Sequence, residues 1–297
     1  MSSSHLGGVF TPAGTQLALN RMGYGAMQLT GPMAFGPPKD RAAALSVVRE
    51  AVRLGINHID TSDYYGPAVA NEIIREAIHP YSKDLVIVTK LGYRRGADKS
   101  WIPAFSREDL TRAARDNLDH LGLDALEIAN LRVGDPFGPN EASIAEPLKV
   151  LAGLQAKGLI RHIGLSNISE RQFDEARTIA KIVCVQNHYN LAQRRDDGFI
   201  AKLAGEGVAY VPYFPLGGFR PLQSPLLDAA AAALGATTRQ VALAWLLQRS
   251  PNILIIAGTS SVAHLHDNLK VADLVLPADM VARLDRIALE PKPDAPH

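Results

Sequence analysis

One alternation constrains this chain more than any other feature. A short apolar run is followed by an amphipathic segment of helical period, and the pair recurs eight times. The runs are RMGYGAM (21–27), NHID (57–60), LVIVTK (85–90), EIANLR (127–132), RHIGLS (161–166), IVCVQN (182–187), VAYVPY (208–213) and ILIIAG (253–258). Apolar runs joined by long helical crossovers are the strands of a parallel sheet covered on both faces. The segments between them carry helix signals. DRAAALSVVREAVRLG keeps its apolar positions on one face and ends at Gly55, where a left-handed cap belongs. Ser106 before Asp109, Ser169 before Gln172 and Thr237 before Gln240 have the spacing of a capping box. Ahead of the series, GVFT and TQLALN flank a Pro-Ala-Gly turn and predict a β-hairpin.

Eight strand–helix units close as a barrel or lie open as a doubly wound sheet, and periodicity alone does not choose. The polar residues do. Asp60, Lys90, Arg132, Ser166, Asn167, Gln186 and Tyr213 fall at or just after the C-terminal ends of six different strands, where barrel sites are built. An open nucleotide-binding sheet would place a Gly-rich turn after its first strand, and GYGAM is not GxGxxG. The expectation is an α/β fold, a (β/α)8 TIM barrel with an N-terminal β-hairpin, forming one domain over residues 1–297 with no linker or repeat.

Composition narrows the partners. Lys and Arg total 31 against 30 for Asp and Glu, with no basic run, which argues against nucleic acid. No stretch approaches about 18 uninterrupted apolar residues, and MSSSHLGGVFTPAGTQ lacks the pattern of a secretion signal, so no membrane association and a cytoplasmic location are expected. The single cysteine, Cys184, suits a reducing compartment, and a core of this size needs neither disulfide nor metal. The sequence leaves the oligomeric state open.

The segment INHIDTSDYYG puts Asp60 at a strand end and Tyr65 five residues later, while Lys90 ends IVTK. Those residue types make chemical sense together. A tyrosine with a pKa near 10 is a poor acid at neutral pH, and a nearby ammonium lowers it; a carboxylate keeps that ammonium charged despite burial. Taken singly, each has a plain structural alternative: a helix cap for Asp60, core packing for Tyr65, a snorkelling side chain for Lys90. Taken jointly, they favour proton transfer.

DTSDYYG, VTK, GLSN, VQNHYN, YFPLGG and GTSSVAHLHDN occur in order at the strand ends, and together they resemble the aldo-keto reductase superfamily over essentially the whole chain. The resemblance implies NADPH bound without a Gly-rich loop and hydride transfer to an aldehyde or ketone. It makes Asp60, Tyr65 and Lys90 three of four catalytic residues. It places Ser166, Asn167 and Gln186 on the nicotinamide carboxamide, Tyr213 under the nicotinamide ring, and the Gly25, Ala26 and Met27 backbone near the ribose, with Leu216 also at the cofactor. The loop from Gly258 through Thr259, Ser260, Ser261 and His264 to Asp267 and Asn268 resembles the grip on the adenosine 2′-phosphate and adenine. The family often has Lys where Gly258 stands and Arg where His264 stands, which implies weaker selectivity against NADH.

The fourth catalytic residue of the family is a histidine ending the fourth strand, but here LEIANLRVGDP ends in Arg132 and no histidine lies between His120 and His162. Arg132 is either a rim residue paired with Asp135 or Glu127, or a fixed guanidinium that donates to the substrate oxygen and helps lower the Tyr65 pKa, doing the histidine's work with a permanent charge. The runs GYGAMQL, FGPPKDR, YFPLGGF and WLLQRSPNIL resemble the pyridoxal-reducing branch of the superfamily and imply pyridoxal as substrate. Trp101, Phe137 and Phe219 are candidate walls of the substrate pocket. The chain ends soon after its last helix with PKPDAPH, read as a frayed tail, so specificity is expected from the loops around 28–38, 134–142 and 216–224. A reductase for another aldehyde or ketone, or a non-catalytic NADPH-binding subunit, are the alternative readings.

Overall fold

The computed structural model describes residues 6–135, 138–218 and 221–289. Phe137, Phe219 and the PKPDAPH tail lie outside the described residues. The N-terminal hairpin is present: β1 (Val9–Phe10) pairs antiparallel with β2 (Leu19–Asn20). Next come the parallel strands β3 (Tyr24–Gly25), β4 (His58–Asp60) and β5 (Val86–Leu91). A second hairpin follows, β6 (Tyr93–Arg95) with β7 (Trp101–Pro103). Four further parallel strands complete the sheet: β8 (Leu126–Arg132), β9 (Ile160–Ser166), β10 (Ile182–Gln186) and β11 (Ala209–Tyr210). The order β11-β10-β9-β8-β5-β4-β3 is sequential apart from the inserted hairpin, as right-handed strand–helix–strand units require.

The eighth expected strand, 253–258, closes the ring without forming a regular strand. Ile253 bridges Tyr210 and Ile255 bridges Met22, both in parallel. The Leu254 N–H donates to the Tyr210 carbonyl at 2.9 Å and the Gly23 N–H to the Ile255 carbonyl at 2.7 Å. Its neighbours β3 and β11 are two residues long, so the ladder stays at single bridges. The Arg21 side chain reinforces the seam by donating to the carbonyls of Leu247, Ser250 and Ile253 at 2.5, 2.7 and 3.1 Å. Two other expected strands are shorter than read. The 21–27 run keeps only Tyr24–Gly25 because Ala26–Leu29 turns into a 3₁₀ helix, and the 208–213 run keeps only Ala209–Tyr210.

Ser169 with Gln172 and Thr237 with Gln240 form complete capping boxes. Ser106 caps its helix by accepting from the Asp109 N–H, but the Asp109 carboxylate accepts from the Ser106 hydroxyl rather than from its backbone N–H. Aspartate is one methylene shorter than the glutamate that completes the box.

Residues two apart share a face of a strand, so the polar strand ends sit above an interior column. Val86, Val88, Ile128, Cys184, Val211 and Leu254 fill that column, and Phe10, Leu17 and Leu19 of the hairpin region pack against it. Two inward glycines make room for polar neighbours. A Cβ on Gly23 would lie 2.0 Å from the His58 ring, and one on Gly164 would lie 2.0 Å from Asn130 Oδ1. His58 is thus sealed inside the barrel, 2% exposed, with neither ring nitrogen hydrogen-bonded.

Burial pushes the His58 pKa down from 6.5 to about 4. The unfolded chain binds this proton more readily than the folded one, so His58 leaves stability intact above about pH 7 and removes it as pH falls toward 4. We expect acid to cost roughly 3 kcal/mol through this group. His58→Leu should flatten the stability curve over pH 4–7 in urea titrations, and an unchanged slope would place the acid sensitivity elsewhere.

Candidate active site

Asp60 ends β4 and Lys90 lies near the end of β5, next to it in the sheet, so two opposite charges meet at one point of the barrel interior. Lys90 Nζ donates to Asp60 Oδ1 at 2.6 Å and to the Thr61 carbonyl at 2.9 Å, and both side chains are almost fully buried. Burial pushes the Asp60 carboxyl above its ordinary range, and the Lys90 ammonium and the Gln186 amide pull against that shift. Gln186, at the end of β10, donates to Asp60 Oδ2 at 3.0 Å. Below, the Cys184 thiol donates to Asn130 Oδ1 at 3.2 Å. Burial raises the Cys184 thiol to about 12, so it remains a neutral donor.

Tyr65 sits on the turn after β4, with Lys90 Nζ 5.1 Å from its ring centroid. Its ring meets Tyr64 edge-on at 5.3 Å, and Tyr64 meets Trp101 edge-on at 5.2 Å. Among the described residues nothing hydrogen-bonds the Tyr65 hydroxyl, so its proton is available to a ligand. The net shift of this phenol is upward, opposite to the lowering expected from Lys90. Burial, followed by the Asp60 charge, raises the Tyr65 pKa, and the cation that pulls it down is Arg132. The Lys90 hydrogens point to Asp60 and Thr61, and its charge is largely balanced by Asp60.

Arg132 ends β8 with its guanidinium 5.3 Å from the Tyr213 ring centroid. Its Nη2 donates to the Asp135 carbonyl at 3.3 Å, while Nη1 is buried without a partner. Glu127, one of the two partners considered for Arg132, pairs instead with Arg161 at 3.1 Å. Alternation along β8 separates the two, since Glu127 and Arg132 are five positions apart and face opposite ways. A buried guanidinium N–H without an acceptor is costly unless a ligand takes it, and the same guanidinium acts electrostatically on the Tyr65 phenol.

The cofactor candidates fall into two groups. Ser166 ends β9 opposite Arg132, Asn167 follows it, and Tyr213 follows β11. The Tyr213 hydroxyl donates to Asn167 Oδ1 at 2.9 Å, and its ring stacks on His188. The Asn167 amide is already committed: Nδ2 donates to the carbonyls of Val133, Asp135 and Gly138 at 2.8–2.9 Å, with Asn167 itself at φ 60°. Together with the Gln186–Asp60 bond, this means that two of the three polar groups expected at a carboxamide are engaged inside the protein. Their amide nitrogens organise the site, which a motif match does not reveal.

The second group lies across the barrel mouth. Gly25, at the end of β3, backs onto Gly258, and a Cβ on Gly258 would come within 2.6 Å of the Gly25 carbonyl. Ala26 and Met27 open the 3₁₀ turn, and Leu216 is half-buried on the opposite loop. The Thr259 hydroxyl accepts from the Ser261 N–H, and the Ser261 hydroxyl caps the helix Val262–Leu269 by accepting from the His264 N–H. Ser260 and His264 remain exposed at that N-terminus, Asp267 pairs with Lys270 at 2.8 Å, and Asn268 is buried. An exposed hydroxyl and an imidazole at a helix N-terminus fit a phosphate. Among the described residues no cluster of His, Cys, Asp or Glu is arranged to hold a metal, and no helix is long and apolar enough to cross a membrane.

Sequence reasoning missed the β6–β7 hairpin and the arginine it carries. Arg95 donates to the carbonyls of Met33, Ala34 and Lys99 and lies 4.2 Å from the Trp101 ring centroid. Two three-residue runs, YRR and WIP, around the turn GADKS were the available signal.

A closed barrel with charged strand ends around an aspartate, a tyrosine and a lysine is the arrangement found in aldo/keto reductases, and the Aldo/keto reductase family model matches residues 21–289. The chain is 62% identical over 275 residues to pyridoxine 4-dehydrogenase of Escherichia coli (strain K12), covering 92% of this chain and 96% of that one. A thermostable aldo-keto reductase solved with the inhibitor epalrestat superposes with a TM-score of 0.79 at 29% identity, covering 94% of this chain and 99% of the other. An aldo-keto reductase from Klebsiella pneumoniae solved with NADPH shares the fold, with a TM-score of 0.76 at 23% identity and 96% of each chain covered. The chain belongs to the aldo/keto reductase family.

The buried pair makes a prediction about stability. Lys90→Met removes the charge that holds the Asp60 carboxyl down, so the pKa of Asp60 should rise further above its unfolded value. Stability that depends on a raised carboxyl is present at low pH and lost as pH rises. The variant should lose about 3–5 kcal/mol at pH 8 and distinctly less at pH 5, as measured by urea unfolding. A loss equal at both pH values would mean that Asp60 is not the group left uncompensated.

Proposed function

We propose that this chain reduces a small aldehyde with NADPH, and that pyridoxal, converted to pyridoxine, is the substrate its site fits best. One observation carries the reading: Tyr65 stands over the buried Asp60–Lys90 pair, with Lys90 Nζ 5.1 Å from its ring centroid, and the cation that draws its phenol down is Arg132, whose buried Nη1 has no hydrogen-bond partner. The name of the E. coli relative supports the substrate, since pyridoxine oxidation is the same reaction run backwards.

When bound, NADPH supplies the hydride that attacks the carbonyl carbon. Tyr65 would give its proton to the carbonyl oxygen, so that the C=O π bond is replaced by one C–H and one O–H bond while the C–O single bond remains and Tyr65 is left as phenolate. Burial keeps the phenol protonated, and Arg132 lowers the cost of the phenolate left behind. Arg132 Nη1 donates to the oxygen as negative charge develops on it. It also faces the ionisable 3-hydroxyl that pyridoxal carries beside its aldehyde, a charge-assisted contact that a neutral imidazole would make less strongly. Asp60 and Lys90 fix the floor on which the phenol stands. Ser166, Asn167, Gln186 and Tyr213 bound the nicotinamide side, with the Gly25–Met27 backbone and Leu216 opposite. Ser260 and His264, with the N-terminus of helix Val262–Leu269, hold the 2′-phosphate, and Asp267 and Asn268 border the adenine. Trp101, reached through Tyr64, walls the substrate side.

Tyr65→Phe should lower turnover by roughly two to four orders of magnitude while leaving NADPH affinity nearly unchanged. A variant keeping half of wild-type turnover, followed at about 340 nm, would remove Tyr65 from this role. Because Tyr65 is raised above its ordinary value of 10, the donor stays protonated through neutral pH, and reduction should be flat from about pH 6 to 9. Arg132→His should introduce a step near the histidine range. Arg132→Ala should cost about tenfold to hundredfold more in kcat/KM on pyridoxal than on benzaldehyde. Equal losses would mean that Arg132 polarises the carbonyl without reading the neighbouring hydroxyl.

A further inference from the structure

The segment after β3 turns back on itself through two consecutive non-glycine residues in the left-handed region, Met33 at φ 60° and Ala34 at φ 53°. L-residues adopt this conformation at a cost, and two in a row persist only where surrounding contacts impose it. Arg95 supplies part of those contacts. Its Nη1 donates to the Met33 and Ala34 carbonyls at 3.2 and 3.0 Å, and its Nη2 donates to the Lys99 carbonyl of its own hairpin at 2.8 Å. The guanidinium also lies between two rings, 4.2 Å from the Trp101 centroid and 5.2 Å from that of Phe35. A planar fork suits this place, because it donates in its plane while its faces meet aromatic rings.

Both groups of contacts lead to Tyr65. The Ala34 carbonyl that accepts from Arg95 also accepts from the Gly66 N–H at 3.1 Å, and the Gly36 N–H returns a bond to the Gly66 carbonyl at 2.8 Å. Phe35 and Gly66 thus form a short parallel bridge directly after Tyr65. On the other side, Trp101 packs edge-on against Tyr64, which packs edge-on against Tyr65. The buried ion pair lies beneath the phenol, while the backbone next to it and the ring beside it are both referred to Arg95.

We propose that Arg95 is a positioning residue for Tyr65: it locks the 31–36 segment to the Tyr65–Gly66 turn and fixes the Trp101–Tyr64 wall, so that the phenol is aimed from the rim. This rests on Tyr65 being the proton donor. In this proposal Arg95 acts through the placement of Tyr65 and not through a contact of its own with substrate or cofactor, so its loss is expected on every aldehyde that Tyr65 protonates.

The test pairs kinetics with hydrogen exchange on the full-length enzyme with and without NADPH. Arg95→Ala should lower kcat about tenfold to hundredfold, the scale of a misplacement near 1 Å. The loss should be equal on pyridoxal and benzaldehyde, with KM changed by less than about threefold and NADPH affinity retained. Arg95→Lys, which can donate to the carbonyls but cannot bridge them while stacking, should recover only part of the loss. It also replaces the alanine variant if that one fails to fold. In either variant, amide exchange should accelerate in 31–36 and 64–68 while strands β8 to β10 keep their protection. This readout does not depend on turnover, so it judges Arg95 even if the assignment of Tyr65 fails. Unchanged exchange at Gly36 and Gly66 would overturn the proposal. So would a loss confined to one aldehyde, which would make Arg95 a substrate contact, or full activity with lysine in its place.

Discussion

Asp60 and Lys90 stand 2.6 Å apart, each about 5% exposed, inside a ring of strands whose interior leaves a cavity of only about 20 Å³ beneath them. Removing two charges from water costs several kcal/mol per ion, and their mutual attraction repays this only when the remaining hydrogen-bonding positions are filled. Here the Thr61 carbonyl and the Gln186 amide fill them. The consequences spread through the interior. Gln186 is committed to Asp60, Asn130 sits under Gln186 where Gly164 leaves space, and Cys184 completes the chain of polar groups. The column stays apolar apart from this layer and His58, so little water competes with the pair.

The strands set the charges and the loops aim the groups that meet a substrate. Asn167, held at φ 60°, spends its amide on three carbonyls of the 133–138 loop and its carbonyl on Tyr213. That clamp fixes the exit of β8, where Arg132 leaves the sheet. From the hairpin, the Tyr93 hydroxyl donates to the Gly134 carbonyl of the same loop, while Arg95 holds the segment after β3. The inserted hairpin therefore touches both the loop after Arg132 and the segment bridged to the turn of Tyr65. In a family where chemistry sits on strand ends and selectivity on loops, such cross-loop contacts let the two be varied separately.

The barrel was legible because strand parity and polar strand ends are properties of the local sequence. INHID and LVIVTK bring Asp60 and Lys90 onto one face at neighbouring ends, which is why their pairing was expected and found. Tyr65 and Arg132 were legible as types at positions. The pull of Arg132 on the Tyr65 phenol belonged to one of the two readings of that arginine and is present, but that burial and the Asp60 charge outweigh it depends on packing that no spacing encodes. The same holds for the amides. Asn167 and Gln186 sit where the motif puts them, but which acceptor an amide chooses depends on the curvature of the sheet. The hairpin at 93–103 was lost for a simpler reason, since YRR and WIP are too short to show a period of two. The eighth strand was overread because apolar content marks burial, whereas a ladder needs neighbours long enough to pair with.

The account stands on the charge state of the buried pair, and the carbon-13 resonance of the Asp60 side-chain carboxyl reads that state directly. In enzyme labelled at aspartate and assigned by comparison with Asp60→Asn, the resonance should lie at the carboxylate position at pH 7 and remain there when NADPH is added. A resonance at the protonated position at pH 7 would mean that Asp60 carries no charge, and the ion pair on which the account rests would not exist.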